Sequence, residues 1–414
     1  MPAVSIVGDA EESIYEPNGV MAIVGGYYIG GNGWPDSPPH WEPLNEGDYN
    51  NALVYGRESE RPISFELLQG DNSDYVQSDT GLRVHGSPWT RVLYRRGDDW
   101  SIWYNKYSFK FCFDDRYEDD LLKYPLFPQV DADKYSKLVL RGSHNNAHTL
   151  WMGEDVRRLH YAMGNVAPRG IMTTLFINGV YKGEFNLCEY IDEDFMQRWN
   201  NSDRPWDIID QQGLRDGDMN EWNSFMAFVD SHDMVQAENY REVTSRMDVK
   251  QFIDYVIFEL YVCNYDWPSN NWIVAREKAE GAKFRFYVWD AEQAMMNGFV
   301  NEVYIDRLNS HGSPVPRIYR ALKANPDFRQ LFADRLQTHL YNDGPLTPEN
   351  VMPIIQEVYQ TYQRMLPGLD SYPMTTFIPQ RREILLEAFR NEGIYLPAPQ
   401  CQINGESGDG GQIE

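Results

Sequence analysis

The stretch Asn264-Tyr265-Asp266-Trp267-Pro268-Ser269-Asn270-Asn271 follows a long apolar run and leads into two β-type segments, NWIVAREK (271–278) and KFRFYVW (283–289). The second segment runs directly into Asp290-Ala291-Glu292. Asp266 and Asn271 thus stand five residues apart in a proline-containing loop, and Asp290 stands at the end of a returning strand. A loop, a hairpin and a strand end can bring three such side chains to one point. Phosphoryl transfer requires such a set: a carboxylate to orient the attacking hydroxyl or take its proton, and an amide oxygen and a second carboxylate to hold divalent cations against phosphate oxygens. In protein kinases the catalytic-loop Asp likewise precedes a metal-binding Asn by five residues, and a metal-binding Asp follows a short hairpin. The same residues also admit a structural reading, since Asp and Asn routinely cap helix ends and turns.

Working outward, the run before the loop predicts a helix over Val249–Cys263. Asp248 and Gln251 are spaced as N-cap and N3 of a capping box, and Phe252, Ile253, Val256, Ile257 and Leu260 line one helical face. Further helices are expected at Pro316–Lys323, Asp327–Tyr341, Pro348–Met365 and Phe377–Glu392. Upstream, residues 1–190 read as strand-rich, with β-type runs at Ile63–Leu68, Gly81–His85, Tyr107–Phe113 and Lys137–Leu140 between Gly, Asp, Asn and Pro clusters. TTLFINGVYKGEFNLCEY predicts a hairpin, because Asn178 and Gly179 both tolerate the positive φ of a tight turn. One helix, GEDVRRLHYAMG, interrupts this part and ends at Gly164. The expectation is an α+β chain: a β-rich part over 1–190, a mainly helical part over 191–398 with one small hairpin inserted at 272–289, and a Gly-rich acidic tail over 399–414.

With 414 residues, 42% apolar and 24% charged, the chain has the composition of a soluble globular protein. Its formal charge of −25 repels nucleic-acid phosphates and favours cations or basic protein partners. No apolar run reaches the length of a membrane span. The opening MPAVSIVGDAEE lacks the basic and apolar regions of a signal peptide, so targeting is either absent or was removed with an upstream segment. Cys112, Cys188, Cys263 and Cys401 form no C-x-x-C pair; the first three sit in apolar runs and are expected as buried free thiols. There is no H-E-x-x-H, G-x-S-x-G or Walker A motif, and GGYYIGGNG lacks the dinucleotide-binding spacing.

NYDWPSNNW followed by KFRFYVWDAE resembles the signature of the spore-coat kinase (CotH) family. The resemblance runs from residue 2 to residue 398, with PAVSIVGD, ERPISFELL, GLRVHGSPWTR, NKYSFKFCF, YPLF, KLVLRG, INGVYKGEFNLCEYIDEDF and NPDFRQLFADRLQTHLYNDGPLTPENV in the family's order. It implies an atypical protein-kinase-like bilobal fold, with a β-rich N-lobe and a helical C-lobe. It also implies use of ATP with Mg²⁺ or Mn²⁺, transfer of phosphate to Ser or Thr of a protein, and an extracellular, cell-surface or spore-associated setting. Carried over by position, Asp266 matches the catalytic Asp, and Asn271 and Asp290 match the metal ligands. Glu292 stands where the best-known members have a second Asp and reaches one methylene further. Lys106 matches the family lysine that pairs with phosphates, with Lys110 close enough to compete. Arg83 and Gly86 match an R-x-x-G stretch, although Pro88 and Trp89 replace the small residues of a phosphate-cradling loop. Arg141 is placed to orient a phosphate or to pair with an acidic site residue, and Glu189 and Asp192 fall where the chain passes between lobes and nears the base or ribose. A different class fits the same fold: a surface binding or adhesion module without transfer activity. Transfer of a group other than phosphate from ATP to protein is a third reading.

Overall fold

The computed structural model describes residues 1–30, 39–70, 74–95, 106–127, 133–142, 150–364 and 368–394. Among them, seven strands close into a barrel: β1 (Ala3–Val7), β2 (Arg61–Leu68), β3 (Tyr75–His85), β4 (Ser108–Cys112), β5 (Lys137–Arg141), β6 (Gly170–Ile177) and β7 (Val180–Glu189). Their order around the barrel is β1-β6-β7-β5-β4-β3-β2, antiparallel except for the β1–β6 pair. Period-two alternation explains the closure. Ile63, Phe65 and Leu67 of β2 and Phe109 and Phe111 of β4 point inward and meet Val4, Ile6, Leu138, Leu140 and Phe185 in one core. The β6–β7 turn has both Asn178 and Gly179 at positive φ (48° and 78°), as the Asn-Gly pair predicts. A short helix, α1 (Pro88–Leu93), follows β3, and α2 (Leu150–Ala162) lies between β5 and β6.

The second half holds α3 (Glu193–Asn200), β8 (Trp206–Asp210), β9 (Gly213–Asp216), α4 (Asn220–Ser231), α5 (Ala237–Arg246), α6 (Val249–Val262), β10 (Trp272–Glu277) and β11 (Arg285–Val288). After these come α7 (Ile305–Ser310), α8 (Pro314–Lys323), α9 (Pro326–Leu340), α10 (Pro348–Gln363) and α11 (Ile378–Asn391). The four helices expected downstream of the hairpin are present within a few residues of their expected ends. Three features differ from the sequence reading. The hairpin is not an isolated insertion: β10 pairs with β8, giving a four-stranded sheet in the order β9-β8-β10-β11. Helix α6 is buried on nearly every side, not along one face, so it forms the axis of the helical lobe. Helix α2, although in the first half of the chain, packs into the helical core. Trp151, Met152, Val156 and Leu159 join it there, and Trp151 meets Tyr359 of α10 edge-on at 5.5 Å. Cys112, Cys188 and Cys263 are buried free thiols, as expected, while Cys401 and the tail lie outside the described residues.

The expected capping box is only half formed. Asp248 accepts a bond from the Gln251 backbone N–H at 3.2 Å, but the Gln251 side chain turns to the sheet. Its Nε2 donates to the Phe286 carbonyl at 2.6 Å, and its Oε1 accepts from the Phe286 N–H at 2.8 Å. One side chain thereby satisfies both backbone groups of Phe286 on the open edge of β11, the strand that delivers Asp290, and ties it to α6. Gln251→Leu removes two bonds and leaves the edge groups unpaired. We expect a loss of about 1–3 kcal/mol in urea denaturation with an unchanged m value; wild-type stability would mean that solvent replaces the side chain.

Candidate active site

Helix α6 stops at Cys263, which is left-handed (φ 54°), and the chain turns into the Asp266 loop. Below the loop, Asn264 donates to the buried Glu259 carboxyl at 3.0 Å, and Trp267 donates through Nε1 to the Tyr255 hydroxyl at 2.9 Å. From the side, the Ser313 hydroxyl donates to the Pro268 carbonyl at 2.6 Å. Asn271 ends the loop in the left-handed region (φ 60°), and Asp290 adopts the same conformation (φ 55°). Five of the eight non-glycine positive-φ residues among those described lie between 263 and 304, so unusual backbone is concentrated around this loop and the Asp290 segment.

One bond joins the two segments. The Asn271 Nδ2 donates to the backbone carbonyl of Asp290 at 2.8 Å, which commits the amide nitrogen to structure. Asp266 is half-buried, and its pKa is raised, first by burial and then by the neighbouring Asp290 carboxylate, against the lowering influence of Arg307. The three residues singled out in the sequence therefore gather at one place. Arg141, at the end of β5, joins them from the barrel side. Its Nε and Nη2 donate to one Glu292 oxygen at 2.9 and 2.7 Å, and Nη2 also meets Asp290. Burial works against the Arg141 charge, but Glu292 and Asp290 more than offset it and raise the guanidinium pKa.

A cleft of ≈ 250 Å³ opens beside this cluster, between the barrel and the four-stranded sheet. His85, Gly86, Lys110 and Arg141 line its barrel wall; Asp210, Leu214, Arg215 and Trp289 line the opposite wall, and Tyr190 lies where the chain crosses. His85, Tyr190 and Trp289 pack edge-on in a trio, with centroids 6.1–6.3 Å apart. Lys110 lies 4.7 Å above Tyr190, and Arg215 lies 5.5–5.6 Å from both Tyr190 and Trp289. Arg91, also on the cleft, donates to the backbone carbonyls of Ala52, Val54, Val84 and Gly86. In a chain of net charge −25, this cleft gathers four cationic side chains against three acidic ones.

The profile of the CotH kinase protein family matches residues 93–371, more than half of the sequence. The chain belongs to the CotH kinase family. Among solved structures, the crystal structure of a Helicobacter pylori proinflammatory kinase, CtkA, matches at 12% identity, covering 62% of this chain and 92% of that one with a TM-score of 0.29. No curated protein matches the sequence.

Within this CotH-family chain, other expected site residues go elsewhere. Arg83 is bonded through Nε to the buried Glu60 at 2.5 Å, on the barrel and off the cleft lining. Glu189 is fully buried and accepts from the Arg169 N–H at 2.8 Å, Arg198 at 2.8 Å and Trp199 at 3.3 Å; it braces the crossing and does not face the cleft. Asp192 caps α3 by accepting from the Phe195 N–H at 3.0 Å, and it pairs with Lys137 at 2.8 Å. Lys110, not Lys106, lies on the cleft wall. Lys106 is buried behind it, its amine 4.9 Å from the Phe185 ring centroid and lowered by burial to a pKa of about 8. Gly86 (φ 141°) does line the cleft, but Ser87 begins the capped turn of α1 where a phosphate loop was in question. Sequence reading passed over Arg215 and Trp289. Their only signal was proximity to short apolar runs, WDIID and RFYVW.

Glu259 supplies a test of the loop's foundation. Burial raises its pKa to about 8, whereas an unfolded chain ionises it near ~4.3. Between those values the folded state keeps a proton that the unfolded state has lost, so stability falls as pH rises, and the penalty is complete above the folded pKa. Glu259→Gln should flatten the fall in unfolding free energy between pH 5 and 8. Parallel wild-type and variant curves would put that proton elsewhere.

Proposed function

We propose that this CotH-family chain is a Mg-ATP-dependent protein kinase that transfers phosphate to a Ser or Thr hydroxyl of a protein. The observation that carries the reading is the convergence of Asp266, Asn271 and Asp290, secured by the Asn271–Asp290 bond beside a cation-rich cleft. The residues fit a divalent ion that arrives with a nucleotide. Asn271 spends its amide nitrogen on structure, which leaves the amide oxygen as its ligand, and Asp290 is solvent-exposed. Among the described residues there is no three-member cage of His, Cys, Asp and Glu, as suits Mg²⁺, which usually takes one or two carboxylates and completes its shell with phosphates and water. When bound, the ion supplies neutralisation of charge on the phosphate oxygens. The chain's own groups divide the remaining work. Lys110, Arg141 and Arg215 would hold phosphate oxygens along the cleft, and Asn271 and Asp290 would hold the ion. Asp266 accepts the hydroxyl's hydrogen bond and takes its proton as the new bond forms. The overall acidity of the chain favours a basic protein as acceptor.

One observation favours a second reading, a nucleotide-free binding module. Arg141 already lies on Asp290 and Glu292, which gives the two carboxylates a cationic partner of their own.

Amide substitutions separate the assigned roles, since they keep shape and remove charge. Asp266→Asn should bind Mg-ATP within about twofold of wild type in calorimetry and transfer labelled phosphate at least roughly a hundredfold more slowly, as expected for loss of a general base. Asp290→Asn should lose both Mg²⁺-dependent binding and transfer. If both variants behave as wild type, the loop is structural; if wild type binds no nucleotide, the module reading stands.

A further inference from the structure

The Asp266 loop is suspended from a residue that sequence reading gave no role. Arg307 lies in α7, the first helix after the Asp290 segment, and its Nη1 donates to the carbonyl of Tyr265 and, at 3.1 Å, to that of Trp267. These are the two peptide carbonyls that flank Asp266. The guanidinium carbon lies over the Tyr304 ring, 3.5 Å from its centroid, which seats the side chain beside the loop. Tyr304 immediately precedes α7 and is left-handed (φ 59°). The next carbonyl, of Pro268, is taken by Ser313. That of Asp266 itself is taken by the loop's own Ser269 hydroxyl at 2.8 Å and the Asn270 N–H at 3.0 Å.

We infer that Arg307 is a positioning residue for phosphoryl transfer: by clamping the carbonyls on both sides of Asp266, it sets where that carboxylate meets the acceptor hydroxyl. This inference rests on the catalytic reading of Asp266. Both bonds leave one guanidinium nitrogen, Nη1, whose two N–H groups are held in one plane by the delocalised cation that rests over Tyr304; a flexible, strongly hydrated ammonium reproduces neither the fixed pair of donors nor that seat on the ring. A loop with no regular secondary structure holds a side chain to catalytic tolerance only if its backbone is fixed from outside, and a displacement of about 1 Å is enough to cost roughly a hundredfold in rate. The clamp also links Asp290 to Asp266 through the chain. The segment that leaves the metal-site strand returns, through α7, to hold the loop that carries the proposed base.

The clamp makes Arg307 a determinant of turnover and not of nucleotide binding. For Arg307→Ala we expect kcat to fall roughly tenfold to a hundredfold, while the Mg-ATP Kd stays within about twofold and the melting temperature is little changed. Hydrogen exchange should rise in peptides covering 264–271 and not in the barrel. Millimolar guanidinium chloride, below denaturing concentration, should restore part of kcat in Arg307→Ala and none in Asp266→Asn. Arg307→Lys, which keeps the charge without the planar pair of N–H donors, should fold as wild type and lose most of the same rate. Wild-type kcat in Arg307→Lys and Arg307→Ala would overturn the clamp while leaving the catalytic reading intact. A parallel loss of kcat, nucleotide affinity and melting temperature, without guanidinium rescue, would overturn it in favour of a purely structural arginine. Absence of transfer by wild type would overturn the catalytic reading and the clamp with it.

Discussion

Arg141 leaves the end of a barrel strand and places its guanidinium on the carboxylates of Asp290 and Glu292, which belong to the other lobe. Both Arg141 and Glu292 are buried. A charge removed from water in this way is tolerable only with its partner in place, and deleting one member of such a pair costs about 3–5 kcal/mol. The geometry of the barrel against the helical lobe is therefore fixed at the point where Asp290 leaves its strand. Helix α2 closes the same junction from behind: a side chain at Gly153 would come within ordinary contact distance of Glu292. The cleft, the Asp266 loop and the Asn271–Asp290 bond are all arranged around this contact.

The charge distribution gives the contact its chemical meaning. A net charge of −25 would by itself repel a polyphosphate. Field strength inside a cleft is decided locally, however, because exposed charges beyond about 8 Å are largely screened at physiological salt. Lys110, Arg141 and Arg215 stand within the cleft beside a trio of aromatic rings; Arg141 is paired with Asp290 and Glu292 and Arg215 with Asp210, so the cleft is close to charge balance although the chain as a whole is strongly acidic. Desolvation, reinforced by the nearby cations Lys110 and Arg141, pushes the His85 pKa well below its usual value, so the imidazole adds no further charge there.

What could be read from the sequence was what is local in the sequence. Asp266, Asn271 and Asp290 fall within one helix–loop–hairpin unit, so spacing alone brought them together. Apolar β-type runs such as Ile63–Leu68 and the Asn178-Gly179 turn likewise announced strands and a hairpin, though not their closure into a barrel. Residues 206–216 went unread because Trp206–Asp210 is buried at every position, which leaves no alternation to see, and its pairing with β10 spans some sixty residues of chain. The choice between the two lysines was not legible for a related reason. Lys110 lies within β4 and meets the cleft, whereas Lys106 precedes the strand and is buried beside Phe185, a separation that only the folded barrel makes. Glu189 reads in sequence as an acid at the crossing near the base or ribose, yet Arg169, Arg198 and Trp199 converge on it once α3 has packed. Arg307 was silent altogether, since its ligands are backbone carbonyls, which leave no pattern in side-chain chemistry.

The central proposal is that Asp290 and Asn271 form a cation site completed by a nucleotide. Electron paramagnetic resonance of Mn²⁺ titrated into the wild-type protein tests this most directly, with and without a non-hydrolysable ATP analogue. We expect little bound Mn²⁺ from the ion alone, and stoichiometric bound Mn²⁺ once the analogue is present, beyond what the analogue binds free in solution. An Mn²⁺ spectrum that the protein leaves unchanged in the presence of the analogue would contradict the claim.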